Sequence, residues 1–151
     1  FSKNNYTKIL LTNLEVLSLN GLVTNIVKHN VKRQRPYSHY NTLPDNNDSF
    51  RSFFSGHTST AFAIGTSTAL TLSKNTNLND KFIWGSILSI ATATGYLRIA
   101  ADKHYATDVI AGAIVGSTIG NFVNKRNMDR FINKNYSIAF RNNAIIIYTT
   151  L

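Results

Sequence analysis

Three glycines, Gly112, Gly116 and Gly120, stand four residues apart in one small and apolar run, and Ala61, Gly65 and Ala69 repeat the spacing in another. Residues four apart share a face of an α-helix, so each stripe is a face almost without side chains. Such faces let two helix backbones approach closely, as in membrane helices and in tightly packed soluble bundles. A glycine in a helix interior costs about 1 kcal/mol relative to alanine. Three at one spacing therefore point to packing rather than to chance in an alanine- and glycine-rich segment, and the chain is expected to bring helices together backbone to backbone.

The other runs fit that expectation. Between about Tyr6 and Lys32, Ile9, Leu10, Leu14, Leu17, Leu22, Ile26 and Val27 recur at helical spacing, interrupted by Asn13, Glu15, Asn20 and Asn25. This helix should stop near Gln34, because Pro36 disfavours helical geometry at Arg35 and has no N–H to donate. The cluster Pro44 to Asp48 marks residues 37–51 as an exposed loop. A second helix is expected from Ser55–Thr58 to Lys74, then a turn over Asn75 to Asp80. Two more helices follow, Lys81 to about Ala101 and Ala106 to about Lys125. The tail YSIAFRNNAIIIYTTL turns β-branched and aromatic around Asn142-Asn143 and reads as a short hairpin. The expected fold is an all-α helical bundle with a short C-terminal β-hairpin, one domain over residues 1–151. Phe1 is not a natural start, so that domain is expected to lack its N-terminal part.

With 43% hydrophobic residues the chain can bury a core, and it does not have the composition of a disordered segment. Lys and Arg number 16 against 7 Asp and Glu, for a formal net charge of +9. That excess fits an anionic partner: a nucleic acid, an anionic lipid or a phosphorylated small molecule. The absence of cysteine excludes a disulfide scaffold, a thiolate zinc site, an iron–sulfur cluster and a cysteine nucleophile.

Three polar clusters interrupt the small and apolar runs, each at an expected helix end. In KHNVKRQRP, Lys28, Lys32 and Arg35 are spaced to share a helical face, which mutual repulsion makes costly unless an anion sits against it; taken alone, a solvated basic face is the usual explanation of such a run. In Phe54-Ser55-Gly56-His57-Thr58, Ser55 is a suitable N-cap and Gly56 lets a ligand approach the backbone. The helix N-terminus there offers unpaired N–H groups to a phosphate, with His57 placed to give a proton; a structural histidine is the alternative. In the third cluster His104 and Asp108 stand four apart, so that one helical turn would put the carboxylate on the imidazole and fix its tautomer. Arg98 precedes them with a fork suited to phosphate. A metal is the competing use of His104 and Asp108, but without further ligands the zinc or iron pattern is weak, and no metal or other cofactor is expected. No zinc finger, helix-turn-helix or aromatic–basic interleave supports nucleic-acid binding, and the GxSxG, P-loop and GxGxxG patterns are absent.

At these residues the chain resembles the type 2 phosphatidic acid phosphatase superfamily, which also holds bacterial class A acid phosphatases and vanadium haloperoxidases. That family's signature has three pieces. Lys28 through Arg35-Pro36 matches the first in residue type and spacing, Ser55-Gly56-His57 the second, and Arg98, His104 and Asp108 the third, in family order. Phe54 stands where the family usually has Pro and Leu97 where it usually has Ser. The resemblance implies a metal-independent phosphatase acting on phosphate monoesters or on the terminal phosphates of lipid (pyro)phosphates. It implies His104 as nucleophile, Asp108 holding its ring, and His57 as acid and then base. Lys28, Arg35, Ser55, Gly56 and Arg98 would bind phosphate. The alternatives are a vanadium-dependent haloperoxidase and a non-catalytic anion-binding bundle.

Location is the most divided question. Only residues 82–101 and 105–123 approach the length and apolarity of a membrane span, since the Ile9 to Val27 run is broken by Asn13, Glu15, Asn20 and Asn25, and the mean hydropathy is −0.11. The expectation favours an exported, periplasmic soluble enzyme of the bacterial envelope with some contact to the membrane surface. An integral membrane lipid phosphatase is the alternative.

Overall fold

Helix α1 (Lys3–Val31) ends close to where its sequence requires. Lys32 takes a left-handed backbone with φ 48°, and Arg35 is extended ahead of Pro36 (φ −77°, ψ 154°). The proline that cannot continue one helix begins another, the four-residue α2 (Pro36–His39), because its fixed φ and missing N–H suit a first turn. The computed structural model describes the backbone of residues 3–133, 135–141 and 144–150, and the side chains of residues 7–127.

The segment after α2 is not the wholly exposed loop that its turn residues suggest. Residues 39–48 are exposed, but Tyr37, Ser38 and Ser49 are buried, with the Tyr37 hydroxyl 3.0 Å from Asn46 Oδ1 and 3.3 Å from Ser49 Oγ. Helix α3 (Gly56–Asn75) starts on an Ser55 cap, whose side chain accepts from the Thr58 N–H. Helix α4 (Asp80–Ala100) starts on Asn79, whose Oδ1 accepts from the Lys81 N–H at 2.9 Å. Helix α5 (Ala106–Asn133) runs beyond the expected end at Lys125. Strands β1 (Asn135–Arg141) and β2 (Ala144–Thr150) pair antiparallel, with Asn135 opposite Thr150 and Arg141 opposite Ala144. This is the hairpin read from the sequence; its Asn142-Asn143 turn lies outside the described residues.

Helix α3 is the hub, packed by α5, α4 and α1. The glycine stripe of α5 explains how closely. A Cβ on Gly112 would sit 2.7 Å from the Ser55 carbonyl oxygen, and Cβ atoms on Gly116 and Gly120 would fall on the carbonyl groups of Ser59 and Ala63. The two stripes seen in the sequence do not meet each other. The α5 glycines lie on Ser55, Ser59 and Ala63, a second small row of α3 that is two residues out of step with Ala61, Gly65 and Ala69. Gly65 makes room instead for Ile87 of α4.

Between the helices the buried contacts are largely polar. Asn20 of α1 donates to Thr60 Oγ1 (3.0 Å) and accepts from Ser59 Oγ (2.5 Å). Asn124 of α5 donates to the Ser67 carbonyl (2.9 Å) and to Thr71 Oγ1 (2.7 Å). Asn127 donates to Glu15 (2.8 Å), which also pairs with Arg126. The main apolar cluster is small, Val16, Ala63, Ile119 and Val123. Many large apolar side chains face outward instead, among them Leu10, Leu14, Leu22, Phe82, Ile90 and Ile114.

Two stretches, Thr7–His39 and Ala106–Asn127, are long and apolar enough to cross a membrane, each at a mean hydropathy of 1.3. The first was discounted in the sequence because of Asn13, Glu15, Asn20 and Asn25. In the fold Asn13 donates to Thr68, and Asn20 and Glu15 also find partners on neighbouring helices, so three of the four polar groups are turned toward the bundle.

Candidate active site

Helices α1 and α4 end, and α3 and α5 begin, at one end of the bundle, and all three polar clusters collect there. A cavity of about 550 Å³ opens there, lined by Lys28, Arg35, Gly56 and His57, with Asp48 and Arg51 on its loop side; Ser55, Arg98, His104 and Asp108 are not in its lining.

The first cluster reaches this cavity by a different route from the one its spacing suggests. Because α1 stops at Val31 and Lys32 turns left-handed, Lys28, Lys32 and Arg35 do not form one helical face, and Lys32 is exposed. Lys28 Nζ donates to the Arg51 carbonyl at 2.8 Å. Arg35 is buried, its Nε donating to the Asp48 carbonyl at 2.9 Å and its backbone N–H to the Ser49 carbonyl at 2.8 Å. The main chain of the 48–51 segment thus holds both cations.

In the second cluster Ser55 is fully buried. Its N–H donates to the Asp108 carbonyl (3.0 Å), and its Oγ accepts from the Thr58 hydroxyl (2.9 Å). This ties the start of α3 to the start of α5. Gly56 lies against α1, where a Cβ would stand 3.1 Å from Thr24 Cγ2. His57 is exposed to the cavity. Partial burial, with the cations Arg98, Lys28 and Arg35 around it, lowers its pKa below the usual histidine value.

In the third cluster Arg98 lies in the last turn of α4, and its carbonyl accepts from the N–H groups of Lys103 (3.1 Å) and His104 (3.2 Å). Its Nε is buried without a hydrogen-bond partner. His104 and Asp108 are buried and adjacent, but not as two positions of one helix. His104 precedes α5, and Asp108 sits in its first turn, which brings Nδ1 to 3.7 Å from Oδ2. That separation is too long for a hydrogen bond, and Nδ1 has no hydrogen-bond partner. Burial lowers the His104 pKa, Asp108 opposes this, and the charges of Lys28 and Arg35 add to the lowering.

Sequence reasoning missed three participants. Arg33 Nη1 donates to Asp108 Oδ1 at 2.7 Å, Ser52 Oγ donates to Oδ2 at 2.5 Å, and Arg51 adds a further cation to the cavity. Arg33 stands in the basic run KRQR and Ser52 three residues before Ser55, but no spacing rule separates them from their neighbours. The arrangement as a whole concentrates cations and two imidazoles of lowered basicity where an oxyanion could be held, attacked and protonated. Among the described residues no three His, Asp or Glu side chains gather as a metal site would require.

The family model for the PAP2 superfamily matches residues 9–131, a span that holds all three clusters. A lipid A 1-phosphatase of Porphyromonas gingivalis is 31% identical over 115 residues, which are 75% of this chain and 22% of that protein. The chain therefore spans about a fifth of the length of the curated relative it matches. No solved structure matches it.

Proposed function

The chain belongs to the PAP2 superfamily, and from that premise we propose that it hydrolyses the terminal phosphate of a lipid phosphate or pyrophosphate, or of a related monoester, through a phosphohistidine on His104. The observation that carries this reading is the meeting of His57, Lys28 and Arg35 around one cavity, with the His104–Asp108 pair buried beside it. In the first step a neutral His104 ring nitrogen attacks phosphorus and the ester P–O bond breaks. His57 gives its proton to the leaving oxygen. In the second, water attacks phosphorus while His57 takes its proton, and the P–N bond breaks to restore His104. Lys28, Arg35 and Arg98, with Ser55 and the Gly56 N–H, stabilise the charge on the non-bridging oxygens. Asp108 supports the ring cation that forms while His104 carries phosphate. The unpartnered Nε of Arg98 fits a donor awaiting an anion.

The similarity to a lipid A 1-phosphatase favours a lipid substrate, and the placement of side chains favours an enzyme embedded in the membrane over a soluble one. A soluble domain buries its large apolar side chains, whereas this bundle pairs amides and hydroxyls inside and turns Leu10, Leu22, Phe82, Ile90 and Ile114 outward. Two experiments test the proposal. Rapid quenching with ³²P-labelled phosphatidic acid or lipid A should trap an acid-labile phosphoenzyme that His104→Ala abolishes; a label that persists in the variant defeats the mechanism. Expression without detergent should leave the protein in the membrane fraction, and a monodisperse, active soluble protein defeats the embedded reading.

A further inference from the structure

Asp108 is held by more donors than a carboxylate that only orients a histidine requires. Arg33 Nη1 donates to Oδ1, and Ser52 Oγ and the Tyr105 N–H (3.1 Å) donate to Oδ2. An ionised carboxylate oxygen offers about two acceptor positions, so Oδ2 is filled by Ser52 and Tyr105, and Oδ1 keeps one position beside Arg33. His104 Nδ1, buried without a hydrogen-bond partner, stands 3.7 Å from Oδ2.

Arg33 itself is turned away from the phosphate cavity. It does not line that cavity, although Lys28, Arg35 and Arg51 do. Its Nη1 is shared between Asp108 and Thr107 Oγ1 (2.9 Å), and its guanidinium lies 4.2 Å from the centre of the Tyr105 ring. Of the basic groups in the KHNVKRQRP segment, it is the one committed to a buried carboxylate instead of to the cavity.

We propose that Arg33 is a positioning residue that, with Ser52, clamps the Asp108 carboxylate behind His104 and offsets its charge, so that a fixed, partly neutralised carboxylate faces His104 Nδ1 as the ring becomes cationic. The clamp connects all three sequence pieces at one carboxylate: Arg33 from the first, Ser52 from just before the second, and His104 and Asp108 from the third. This assignment rests on the phosphohistidine reading for its catalytic meaning, but the geometry of the clamp can be tested without turnover.

The test uses the intact protein in detergent with ¹⁵N-labelled histidine, and the variants Arg33→Ala, Arg33→Lys and Ser52→Ala. The charged groups acting on His104 are Asp108 of α5, Lys28 of α1 and Arg35 before α2. With those unchanged, loss of the Arg33 cation leaves the Asp108 charge less compensated. The His104 imidazole should then titrate at higher pH in Arg33→Ala, and closer to wild type in Arg33→Lys. With dioctanoyl phosphatidic acid or lipid A as substrate, kcat of Arg33→Ala should fall by about 10- to 100-fold at nearly constant KM, the range seen when an orienting outer partner is removed. The acid limb of kcat should move toward higher pH, and Ser52→Ala should shift both readouts the same way by less. An unchanged His104 titration in Arg33→Ala and Ser52→Ala overturns the clamp. So does a rise in KM alone, which would place Arg33 on the substrate. A wild-type protein that forms no phosphoenzyme defeats the hydrolytic reading while the titration still decides the clamp.

Discussion

Midway along the bundle, Asn20 bridges Ser59 and Thr60 and Asn124 bridges Ser67 and Thr71, all neutral groups. At the site end the buried groups include Asp108, His104, Arg35 and the Nε of Arg98, all charged or chargeable, beside neutral hydroxyls such as those of Ser52 and Ser55. A neutral amide between two hydroxyls fixes helix register at little electrostatic cost. A buried charge is tolerable only with a partner or an incoming counter-charge. The first region therefore holds the fold together, and the second, on the proposed function, keeps donors available for an anion. Substitutions in the two regions should fail in different ways, the one in stability and the other in turnover.

The largest effect is expected at the site. His104→Ala should lower kcat by about three orders of magnitude or more while helix content by circular dichroism stays at the wild-type level. Residual activity above about a hundredth of wild type would remove His104 from the nucleophile role. The opposite pattern is expected for Gly116→Val, whose side chain has no room against the Ser59 carbonyl. Folded protein should be lost, and even Gly116→Ala should lower stability by about 3 kcal/mol. Gly85→Ala is the control, since nothing lies within 4 Å of the added carbon; there the melting temperature should stay level or rise. Asp108→Asn should fall between these, with a loss on the order of 100-fold in kcat. A collapse in its melting temperature would show instead that the carboxylate belongs to the scaffold.

The smallest effect separates the two histidines by pH. In the proposed mechanism His104 must be neutral to attack and His57 protonated to donate, and both pKa values are lowered from 6.5. As pH rises through the His57 value the acid is lost, and as it falls through the His104 value the nucleophile is lost. The kcat/KM profile should therefore be bell-shaped, with its maximum on the acid side of 6.5. A rate that climbs steadily into alkali would break the assignment.

Much of this was legible in the sequence because breakers and caps act locally. Pro36 bars a helix through Arg35 and starts α2, Ser55 caps α3, and the spacing of Gly112, Gly116 and Gly120 announces a close helix contact. Illegible were the features set by tertiary partners. The α5 glycines chose the Ser55–Ser59–Ala63 row, which hydroxyls disguise as polar, over Ala61–Gly65–Ala69. The Lys28–Lys32–Arg35 stripe dissolved because its helix stops early. Arg33 and Ser52 carry no spacing signal, since their meaning lies in a carboxylate some 75 and 56 residues away. The polar interruptions of α1 argued against a membrane span only while their partners on other helices were unknown.

The alternation of helix direction carries a consequence for sidedness. Helix α3 leaves the site end and α4 returns to it, so the turn at residues 76–79 lies at the far end, roughly 30 Å away for a helix of 20 residues. A bundle standing across a bilayer must expose that turn and the 39–48 segment to different compartments. The chain has no cysteine, so a thiol introduced at Asn77 or at Asn47 is the sole target for an impermeant maleimide. In sealed vesicles of one orientation each position should be labelled from one face only, and the two faces should differ.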